Sequence, residues 1–350
     1  MKKLMISLLL GLFGHELASG VQFVDGDFAA YSIDDSSAVI WQYNGNDKNV
    51  VIPGTLTYTY DKYEYDEEGN YRSRRYSQSF CVVGIGEAFG SIGARDANLL
   101  ESVIIPYGVT NIQAFAFQYC KNLIFVEMSE NVRTIGRRAF LGCSALSYSN
   151  FPRGVVSIDD WAFAGCALAE LNLPESIVAV GDSAFAYCGS LRTIKVAAAN
   201  RYFKTLSNNL VTKDGRSFIR ASACTSVVVP DGIREIANGA FSDCRVLKSV
   251  ALPSSVEIIG RESFSACTAL TSIVLSPHLK KIGFDAFRFC EALKSVSIPA
   301  SVTSIGCDAF LGCFQTEIVF EGEPPKFEDT DDIICSSCMT VGIRSRHNLI

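Results

Sequence analysis

Cysteine is the residue whose spacing in this sequence most suggests chemistry. Eight cysteines recur at steps of 23, 23, 22, 56, 23, 23 and 23 residues. A phenylalanine stands three residues before each of them, and Phe89 marks a degenerate earlier copy, "VVGIGEAFG". A residue pair that returns at a fixed period indicates a repeated structural unit. The eight cysteines are Cys120, Cys143, Cys166, Cys188, Cys244, Cys267, Cys290 and Cys313.

These cysteines are expected to form an internal column in a stack of coils. Stacked coils repeat at the strand spacing of about 4.8 Å, and residues in register have nearly parallel Cα–Cβ bonds. A disulfide instead requires Cβ atoms about 3.8 Å apart that turn toward each other. We therefore expect free thiols that pack as small apolar side chains. An occasional bridge between neighbouring coils is the alternative.

Other reactive residues lack the spacing of a catalytic or metal site. Neither His278 nor His347 has a cysteine or an acid at the spacing of a nucleophilic or zinc site. Cys335 and Cys338 form a lone CxxC, for which a local disulfide, a metal or redox role and free thiols stay open. No phosphate loop or dinucleotide fingerprint is present, because "GIGEAFG" (84–90) has the glycines of such a fingerprint only superficially and its phenylalanine falls on the repeat. We predict no enzyme activity, no cofactor and no metal site.

The stretch after each cysteine predicts the elements of one coil. In "LKSVALPSSVEIIG" (247–260), apolar residues alternate with small polar ones, as in a half-buried strand. A proline ends this strand, and a second short extended run follows. The Ala-Phe-x-x-Cys stretch then predicts a short helical turn with phenylalanine and cysteine on one face. One such unit cannot bury its apolar side alone, so the units are expected to stack as a solenoid.

Two irregularities in the repeat carry information. A glycine often follows the second run, but three repeats replace it, which predicts that the backbone there needs no positive φ. Its replacements are Gln113, Asp159 and Ala237. The single step of 56 residues predicts an insertion near 197–222, read as a β-hairpin with a turn at Asp214-Gly215. An inert loop extension is the plain interpretation of that insertion.

The phrase "CxxLxSVxIPxSVxxIGxxAFxxC" resembles the BspA-type leucine-rich repeat of bacterial surface proteins and some protozoan ones. It covers residues from about 99 to 320, with weaker cover back to Val50. The resemblance implies an α/β-type leucine-rich repeat solenoid, rich in β, with 23-residue coils of short strands and short helical turns. It also implies that the "LxSVxIP" strands build the concave sheet. A secreted or surface-attached protein that binds host or extracellular proteins is implied, and an enzyme is not.

The N-terminus predicts export. Residues 1–20 combine Lys2 and Lys3 with a short apolar core and a small-residue end, which predicts a signal peptide. An uncleaved anchor is the alternative. No later segment has about 18 apolar residues in a row, so no membrane insertion is expected. The net charge of −6 argues against nucleic acid as a partner. We expect a secreted or cell-surface protein.

The remaining sequence predicts caps at both ends of the solenoid, because an open end exposes apolar surface and strand edges. The predicted division is a small N-terminal β cap with the degenerate first repeat and a tyrosine-rich hairpin over 21–98, the solenoid over 99–320, and a C-terminal cap or tail over 321–350.

Outward positions of the predicted strands are the candidate contact residues. They are large, aromatic or charged in the N-terminal half and small in the C-terminal half. The candidates there are Phe125, Glu127, Tyr148, Asn150, Glu170, Asn172 and Lys195. The hairpin adds Tyr63, Tyr65 and Tyr71, because tyrosine beside charge suits protein recognition. Solvated positions without a ligand are the alternative for both sets.

The function predicted from these observations is non-catalytic binding of a protein ligand, such as a host or extracellular matrix protein. A structural or spacer protein is the alternative. An enzyme or inhibitor module is disfavoured, because the sequence offers no convergent set of acids or histidines.

Overall fold

A computed structural model describes residues 21–65, 71–86, 89, 99–147, 151–323, 325–328 and 343–345. These residues form a β-solenoid of about ten coils that contains strands and turns and no helix. The predicted signal peptide, His347 and the CxxC of Cys335 and Cys338 lie outside the described residues. The division of the chain into cap, solenoid and tail stays a prediction.

Most coils contribute two short strands, the first ending close to the proline of the repeat. In chain order the strands are β1 (Gln22–Asp25), β2 (Phe28–Ser32), β3 (Ser37–Tyr43), β4 (Asn49–Val51), β5 (Thr55–Tyr65), β6 (Tyr71–Ile85), β7 (Ser102–Ile104), β8 (Asn111–Ile112), β9 (Phe125–Glu127), β10 (Thr134–Ile135), β11 (Ser157–Ile158), β12 (Glu170–Leu173), β13 (Ala179–Val180) and β14 (Thr193–Val196). They continue as β15 (Phe203–Leu206), β16 (Asn209–Thr212), β17 (Ser217–Arg220), β18 (Ser226–Val228), β19 (Glu235–Ile236), β20 (Ser249–Ala251), β21 (Ile258–Ile259), β22 (Ser272–Val274), β23 (Lys281–Ile282), β24 (Ser295–Ile298), β25 (Ser304–Gly306), β26 (Glu317–Phe320), β27 (Lys326–Glu328) and β28 (Ile343–Ser345).

The strands stack into two ladders of parallel pairs. The first strands of the coils form the front ladder, whose sheets are β4-β7-β9, β12-β14, β18-β20-β22 and β24-β26-β28. The second strands form the back ladder, which runs through β6, β8, β10, β11 and β13 and, after the insertion, through β19, β21, β23, β25 and β27. At the N-terminus β1, β2 and β3 pair antiparallel, and β3 joins β6 in parallel. This small sheet therefore continues the back ladder across the end of the first coil.

The phenylalanines of the repeat form an internal column. Their rings stack from Phe89 to Phe185 and again from Phe218 to Phe310, with centroids 4.7 to 5.9 Å apart. Each of these rings is at most 5% exposed. The predicted column is present, and Phe218 of the insertion is a member that the repeat did not predict.

The repeat cysteines form a second column of buried, free thiols, as expected. Seven of them donate an S–H bond of 3.0 to 3.4 Å to the carbonyl oxygen of the phenylalanine in the preceding coil. Burial raises the pKa of six of these thiols, for Cys188 to about 11, whereas a hydrogen bond with Cys290 lowers the pKa of Cys313. The six are Cys120, Cys166, Cys188, Cys244, Cys267 and Cys290. The six thiols with a raised pKa therefore stay protonated and unreactive at neutral pH.

The Ala-Phe-x-x-Cys stretch is not helical, and this part of the predicted fold class is wrong. In each repeat-type coil from Cys120 to Cys313, the residue two before the phenylalanine and the residue before the cysteine have positive φ, as do Arg138 (56°) and Gly142 (72°). The N–H groups of Arg138, Phe140 and Gly142 donate to carbonyls of the next coil. Because alternate N–H groups leave the coil in this way, the ladder of a helix cannot form. The stretch consists of successive tight turns, two of them with the positive φ of type II turns.

The repeated glycine has no positive φ, as predicted, but it does have a packing role. At Gly136 an added Cβ would lie 2.8 Å from the backbone nitrogen of Ala114 and from the carbonyl carbon of Gln113. Glycine there lets consecutive coils approach closely.

The insertion forms three antiparallel strands. β16 pairs with β17 across the turn at Asp214-Gly215, as the sequence suggests, and β15 is an additional strand on the other side of β16. β17 then pairs in parallel with β19 of the next coil. The inserted strands interrupt both ladders, because β13 ends one back sheet and β14 and β18 belong to different front sheets.

Candidate binding surface

The front ladder presents alternate side chains of each strand to the outside. In β9, for example, Val126 is buried, whereas Phe125 and Glu127 are exposed. The same pattern holds along the ladder, and it agrees with the inward and outward positions predicted from the sequence. The buried residues of this row are Val50, Val103, Val126, Leu171, Ile194, Val227, Val250, Ile273, Val296 and Ile318.

Three apolar side chains lie close together at the N-terminal end of the front ladder. Val51 is 65% exposed, and Ile104 and Phe125 are each 38% exposed. Strand pairing places Val51 beside Ile104 and Ile104 beside Glu127, so Phe125, opposite Ser102, lies diagonal to Ile104 on the same face. We call Val51, Ile104 and Phe125 the front patch. Large apolar side chains that share one exposed sheet face are typical of contact surfaces.

One ion pair lies next to the strands of the front patch, and another lies on the later strands β12 and β14 of the front ladder. Lys48, just before β4, pairs with Glu101, just before β7, at 2.6 Å. On β12 and β14, Lys195 Nζ lies 2.5 Å from Glu170 Oε1. The hydrogen bond from Lys195 lowers the pKa of Glu170, so this carboxylate is charged at neutral pH. Exposed pairs of this kind add little stability, and they present both signs of charge on this face.

The predicted contact residues fall into separate groups in the structure. Phe125 and Glu127 share β9, whereas Glu170, Asn172 and Lys195 lie on the paired strands β12 and β14. Tyr148 and Asn150 lie outside the described residues.

Sequence reasoning missed two members of the front patch, Val51 and Ile104. The signal was available, because "NVVIP" at 49–53 and "SVIIP" at 102–106 repeat the strand phrase and its final proline. Both residues take the outward position that Glu127 occupies in β9.

The tyrosine-rich segment forms a long antiparallel hairpin from β5 and β6. Its pairing runs from Thr55 opposite Cys81 out to Tyr65 opposite Tyr71. Leu56 at its base is buried. Because β6 is part of the back sheet, the hairpin and the front patch belong to different sheets.

Aromatic rings follow the hairpin outward from the core. Phe23 contacts Tyr58, and Tyr58, Tyr60 and Tyr76 stack with centroids 5.4 and 5.8 Å apart. For the predicted residues the structure describes the backbone, which pairs Tyr63 with Ser73 and Tyr65 with Tyr71.

The tip of the insertion lies against the edge of β14. The side-chain amide of Asn208 accepts a bond from the Ile194 N–H at 2.9 Å and donates one to the Arg192 carbonyl at 2.6 Å. Asn208 therefore bonds an N–H and a carbonyl at the edge of β14 that the next strand of the front ladder would otherwise bond. The N-terminal part of the front ladder thus ends at this tip.

The described residues contain no group of three or more His, Cys, Asp or Glu side chains able to hold a metal ion. His278 bonds through Nδ1 to the Ser254 carbonyl oxygen at 3.0 Å. The side chains of the front ladder diverge from a sheet rather than converging on a reacting atom, an arrangement suited to surface contact. Within the described part of the chain, no helix has the length and apolarity needed to cross a bilayer.

Solved structures of bacterial leucine-rich repeat proteins are similar to this chain. A leucine rich cell surface protein from Faecalibacterium prausnitzii is 27% identical with a TM-score of 0.55, covering 86% of this chain and 89% of that one. The pneumococcal vaccine antigen PcpA is 18% identical with a TM-score of 0.63, covering 94% of each chain. A leucine-rich repeat protein from Eubacterium ventriosum is 16% identical with a TM-score of 0.54, covering 87% and 86%. The last two show likeness of fold alone.

A comparison with curated proteins finds no significant match. The family model described as "BspA type Leucine rich repeat region" matches residues 95–210 and 214–330, in six copies. These segments make up more than half of the 350-residue chain, and they contain most of both ladders, the whole cysteine column and the phenylalanine column from Phe117 onward. The resemblance carried by the repeated phrase is therefore confirmed, and the chain belongs to the BspA-type leucine-rich repeat family.

Proposed function

We propose that this protein is a non-catalytic binding protein, secreted or held at the cell surface, and that its front patch contacts a protein ligand. Membership of a repeat family whose members serve as binding scaffolds supports this, as does the similarity to a bacterial cell surface protein. The observation that carries the proposal is the exposure of Val51, Ile104 and Phe125 close together on one sheet face.

The chemistry of the patch favours a ligand with an apolar centre and a charged rim. Ile104 and Phe125 would fill apolar pockets of the ligand, because buried aromatic and aliphatic anchors dominate interface energies. Glu127, Glu170, Asn172 and Lys195 would meet the rim, and Tyr148 and Asn150 stay contact residues proposed from the sequence. Contacts of this charged kind govern encounter rate and specificity more than affinity.

The experiment begins with an unbiased ligand screen. The chain without residues 1–20 is passed over immobilised extracellular matrix proteins and bacterial surface proteins, and binding is measured by interferometry. For any protein that binds, Ile104→Ser and Phe125→Ser are each expected to weaken affinity by about tenfold.

The matched control is Val274→Ser, because Val274 is 77% exposed on the same ladder in the C-terminal half. This variant should retain affinity. Loss of binding in Val274→Ser with retention in Ile104→Ser would place the contact elsewhere. If no protein of the panel binds the wild-type chain, the spacer alternative is favoured instead.

The hairpin is proposed as a second contact surface through Tyr63, Tyr65 and Tyr71. The stacked tyrosines along its described part support this, because rigid amphipathic rings are efficient contact groups. Replacing the three tyrosines by serine should weaken the same binding. Tyr107→Ser is the control, since Tyr107 is 74% exposed outside the hairpin.

Export through residues 1–20 is proposed from the sequence, together with the division into 21–98, 99–320 and 321–350. Expression of the full chain with its own N-terminus should yield an extracytoplasmic protein that starts at Val21 by N-terminal sequencing. A product that keeps Met1 would favour the uncleaved anchor.

A further inference from the structure

One step of the solenoid differs from the others, and we call it the seam. On its N-terminal side lies the coil that ends at Cys188, with the following front strand β14. On its C-terminal side lies the coil that ends at Cys244, and the inserted strands β15 to β17 lie between the two. The stacked rings of the phenylalanine column end at Phe185 and resume at Phe218. The back sheet, which is otherwise continuous from coil to coil, ends at β13 and resumes with the inserted strands and β19.

The hydrophobic core also divides at the seam. The buried side chains form two clusters, one ending at Leu210 and the other beginning at Val211. These two residues are neighbours on β16 and point to opposite faces of it, so the inserted sheet lies between the two cores. Phe203 belongs to the N-terminal cluster and Phe218 to the C-terminal one.

Side chains carry most of the hydrogen bonds that cross the seam. The Arg220 guanidinium, 2% exposed, donates through Nη2 to the Cys188 carbonyl at 3.1 Å and through Nη1 to the Gly239 and Ser242 carbonyls at 2.9 and 3.1 Å. These acceptors are uncharged, so a buried cation is held without a bonded carboxylate. We call a junction between two adjacent regular coils an intact step. There backbone groups make the corresponding bonds, as from the Phe163 N–H to the Ala184 carbonyl.

Tyr187 forms a second bridge across the seam. Its N–H donates to Ser242 Oγ at 2.8 Å, where the equivalent N–H of Tyr119 donates to the Leu141 carbonyl. Its hydroxyl donates to Glu262 Oε2 at 2.5 Å and also lies 3.2 Å from Ser265 Oγ.

Packing at the seam is incomplete. A cavity of about 30 Å³ lies between Phe185, Arg220 and Asn238. An open cleft of about 350 Å³ lies nearby, between Gly165 on one side and Arg245 on the other. The side chains that line the small cavity lack packing partners on that side, so they gain fewer dispersion contacts than the closely stacked rings of a regular step.

We propose that the solenoid consists of two cooperative units that meet at the seam, and that the seam opens locally while both units stay folded. Arg220 and Tyr187 act as the latch, together with the side-chain amide of Asn238, which donates to Asp182 Oδ2 at 2.9 Å. Their bonds break with a change of side-chain rotamer, whereas the bonds of an intact step break only when the backbone of a coil unfolds. The front patch and the C-terminal part of the front ladder then change their relative orientation when the latch opens. The proposed opening of the seam does not depend on whether the front patch binds a protein.

Hydrogen exchange on the full chain tests the proposal. The reporters at the seam are the N–H of Tyr187 and the N–H of Ala223, which donates to the Leu191 carbonyl at 2.6 Å. The references inside the units are the N–H groups of Phe163 and Phe264, which donate to the next coil at 2.8 and 2.7 Å. The seam amides should exchange at least about tenfold faster than the references, at a rate insensitive to low urea. Equal protection at both places overturns the proposal.

The variant Tyr187→Phe removes the hydroxyl bonds of the latch and keeps the ring. It should accelerate exchange at Tyr187 and Ala223 by several-fold and leave Phe163 and Phe264 unchanged. Tyr119→Phe is the control, because Tyr119 also stands just before a repeat cysteine, at an intact step. It should change none of the reporters.

Two results count against the latch. Unchanged exchange at Ala223 in Tyr187→Phe would show that the hydroxyl bonds do not hold the seam. Equal acceleration at the seam and at the references would show one cooperative unit. Ser265→Ala, which removes a single partner of the hydroxyl, keeps the test available if Tyr187→Phe fails to fold.

Discussion

The thiol of Cys143 donates a hydrogen bond to the carbonyl oxygen of Phe117 in the preceding coil, with a sulfur–oxygen distance of 3.1 Å. The same carbonyl also accepts the N–H of Cys120 at 3.2 Å. One backbone oxygen is thus bonded from its own coil and from the next. This explains why a residue that packs as a small apolar group, yet keeps a weak donor, recurs at this position.

Replacement of Cys143 by alanine should lower the free energy of unfolding by about 1 kcal/mol, comparable to the loss of one buried methyl group. The Phe117 carbonyl retains its bond from Cys120, so no acceptor is left unpaired. Urea denaturation followed by circular dichroism measures the effect. Cys81→Ala, at an exposed cysteine, should change stability by less than about 0.5 kcal/mol. Equal effects at the two sites would contradict the packing role.

Alkaline pH should destabilise the fold through the cysteine column. Burial raises the pKa of Cys188 from 9.0 to about 11. Between these values the unfolded chain has lost this proton and the folded chain keeps it, so the free energy of unfolding falls as pH rises. The fall is roughly 1.4 kcal/mol per pH unit for one thiol, and this thiol contributes no pH dependence below pH 9.

Urea midpoints compared at pH 8 and about pH 10 measure this dependence. The variant Cys188→Ala should show a smaller decrease than the wild-type chain, since it lacks one of the shifted thiols. An identical decrease in both chains would show that other groups cause it.

The left-handed residues of the coil offer a prediction of increased stability. Ala266 has a φ of 59°, a region that costs a residue with a Cβ about 1–2 kcal/mol. Ala266→Gly should therefore raise the free energy of unfolding by about 0.5–1 kcal/mol, after the entropy lost by glycine is subtracted. Ala269, three residues further along the chain and also half-buried, has no positive φ. Ala269→Gly should lower stability, and the two substitutions should differ in sign by thermal denaturation.

The tip of the insertion can be tested at two adjacent residues. Ser207 and Asn208 both have positive φ, at 48° and 62°, so glycine suits the backbone of either. Asn208→Gly also removes the two amide bonds to Ile194 and Arg192, and it should cost about 1–2 kcal/mol. Ser207→Gly should be neutral or slightly stabilising. Equal results in chemical denaturation would show that the amide does not stabilise the edge of β14.

Periodicity accounts for the part of the fold that the sequence predicted. A residue repeated every 23 positions must meet its own copy in the next coil, so the burial of Phe140 and Cys143 follows from spacing alone. The outward position of Phe125 follows in the same way from strand alternation.

The turn conformation could not be read from local sequence. Phe115 and Trp161 adopt positive φ, although bulky residues rarely do so. The cause is the bonding of alternate N–H groups to the next coil, which depends on stacking rather than on the residue itself. A pattern of phenylalanine and cysteine three apart is equally compatible with one turn of helix, and that interpretation was wrong.

Residues that occur once carry no periodic signal. Arg220 and Phe218 lie in an insertion without a second copy, so neither the buried guanidinium nor the added ring could be predicted. Val51 and Ile104 were missed for a different reason. Their strands precede the best-preserved copies of the phrase, although the phrase is present in both.

The alternating N–H bonds of the turns make the intact coils interchangeable. Each intact step offers similar main-chain donors and acceptors to the next, so excising or duplicating one 23-residue unit within a run would leave no backbone group unmatched. The length of the molecule can therefore change in increments of about 5 Å. A deletion that joins the coil before the seam directly to one beyond it removes Arg220 and its carbonyl partners. Changes in the number of coils are therefore expected among the regular coils on either side of the seam and not at the seam itself.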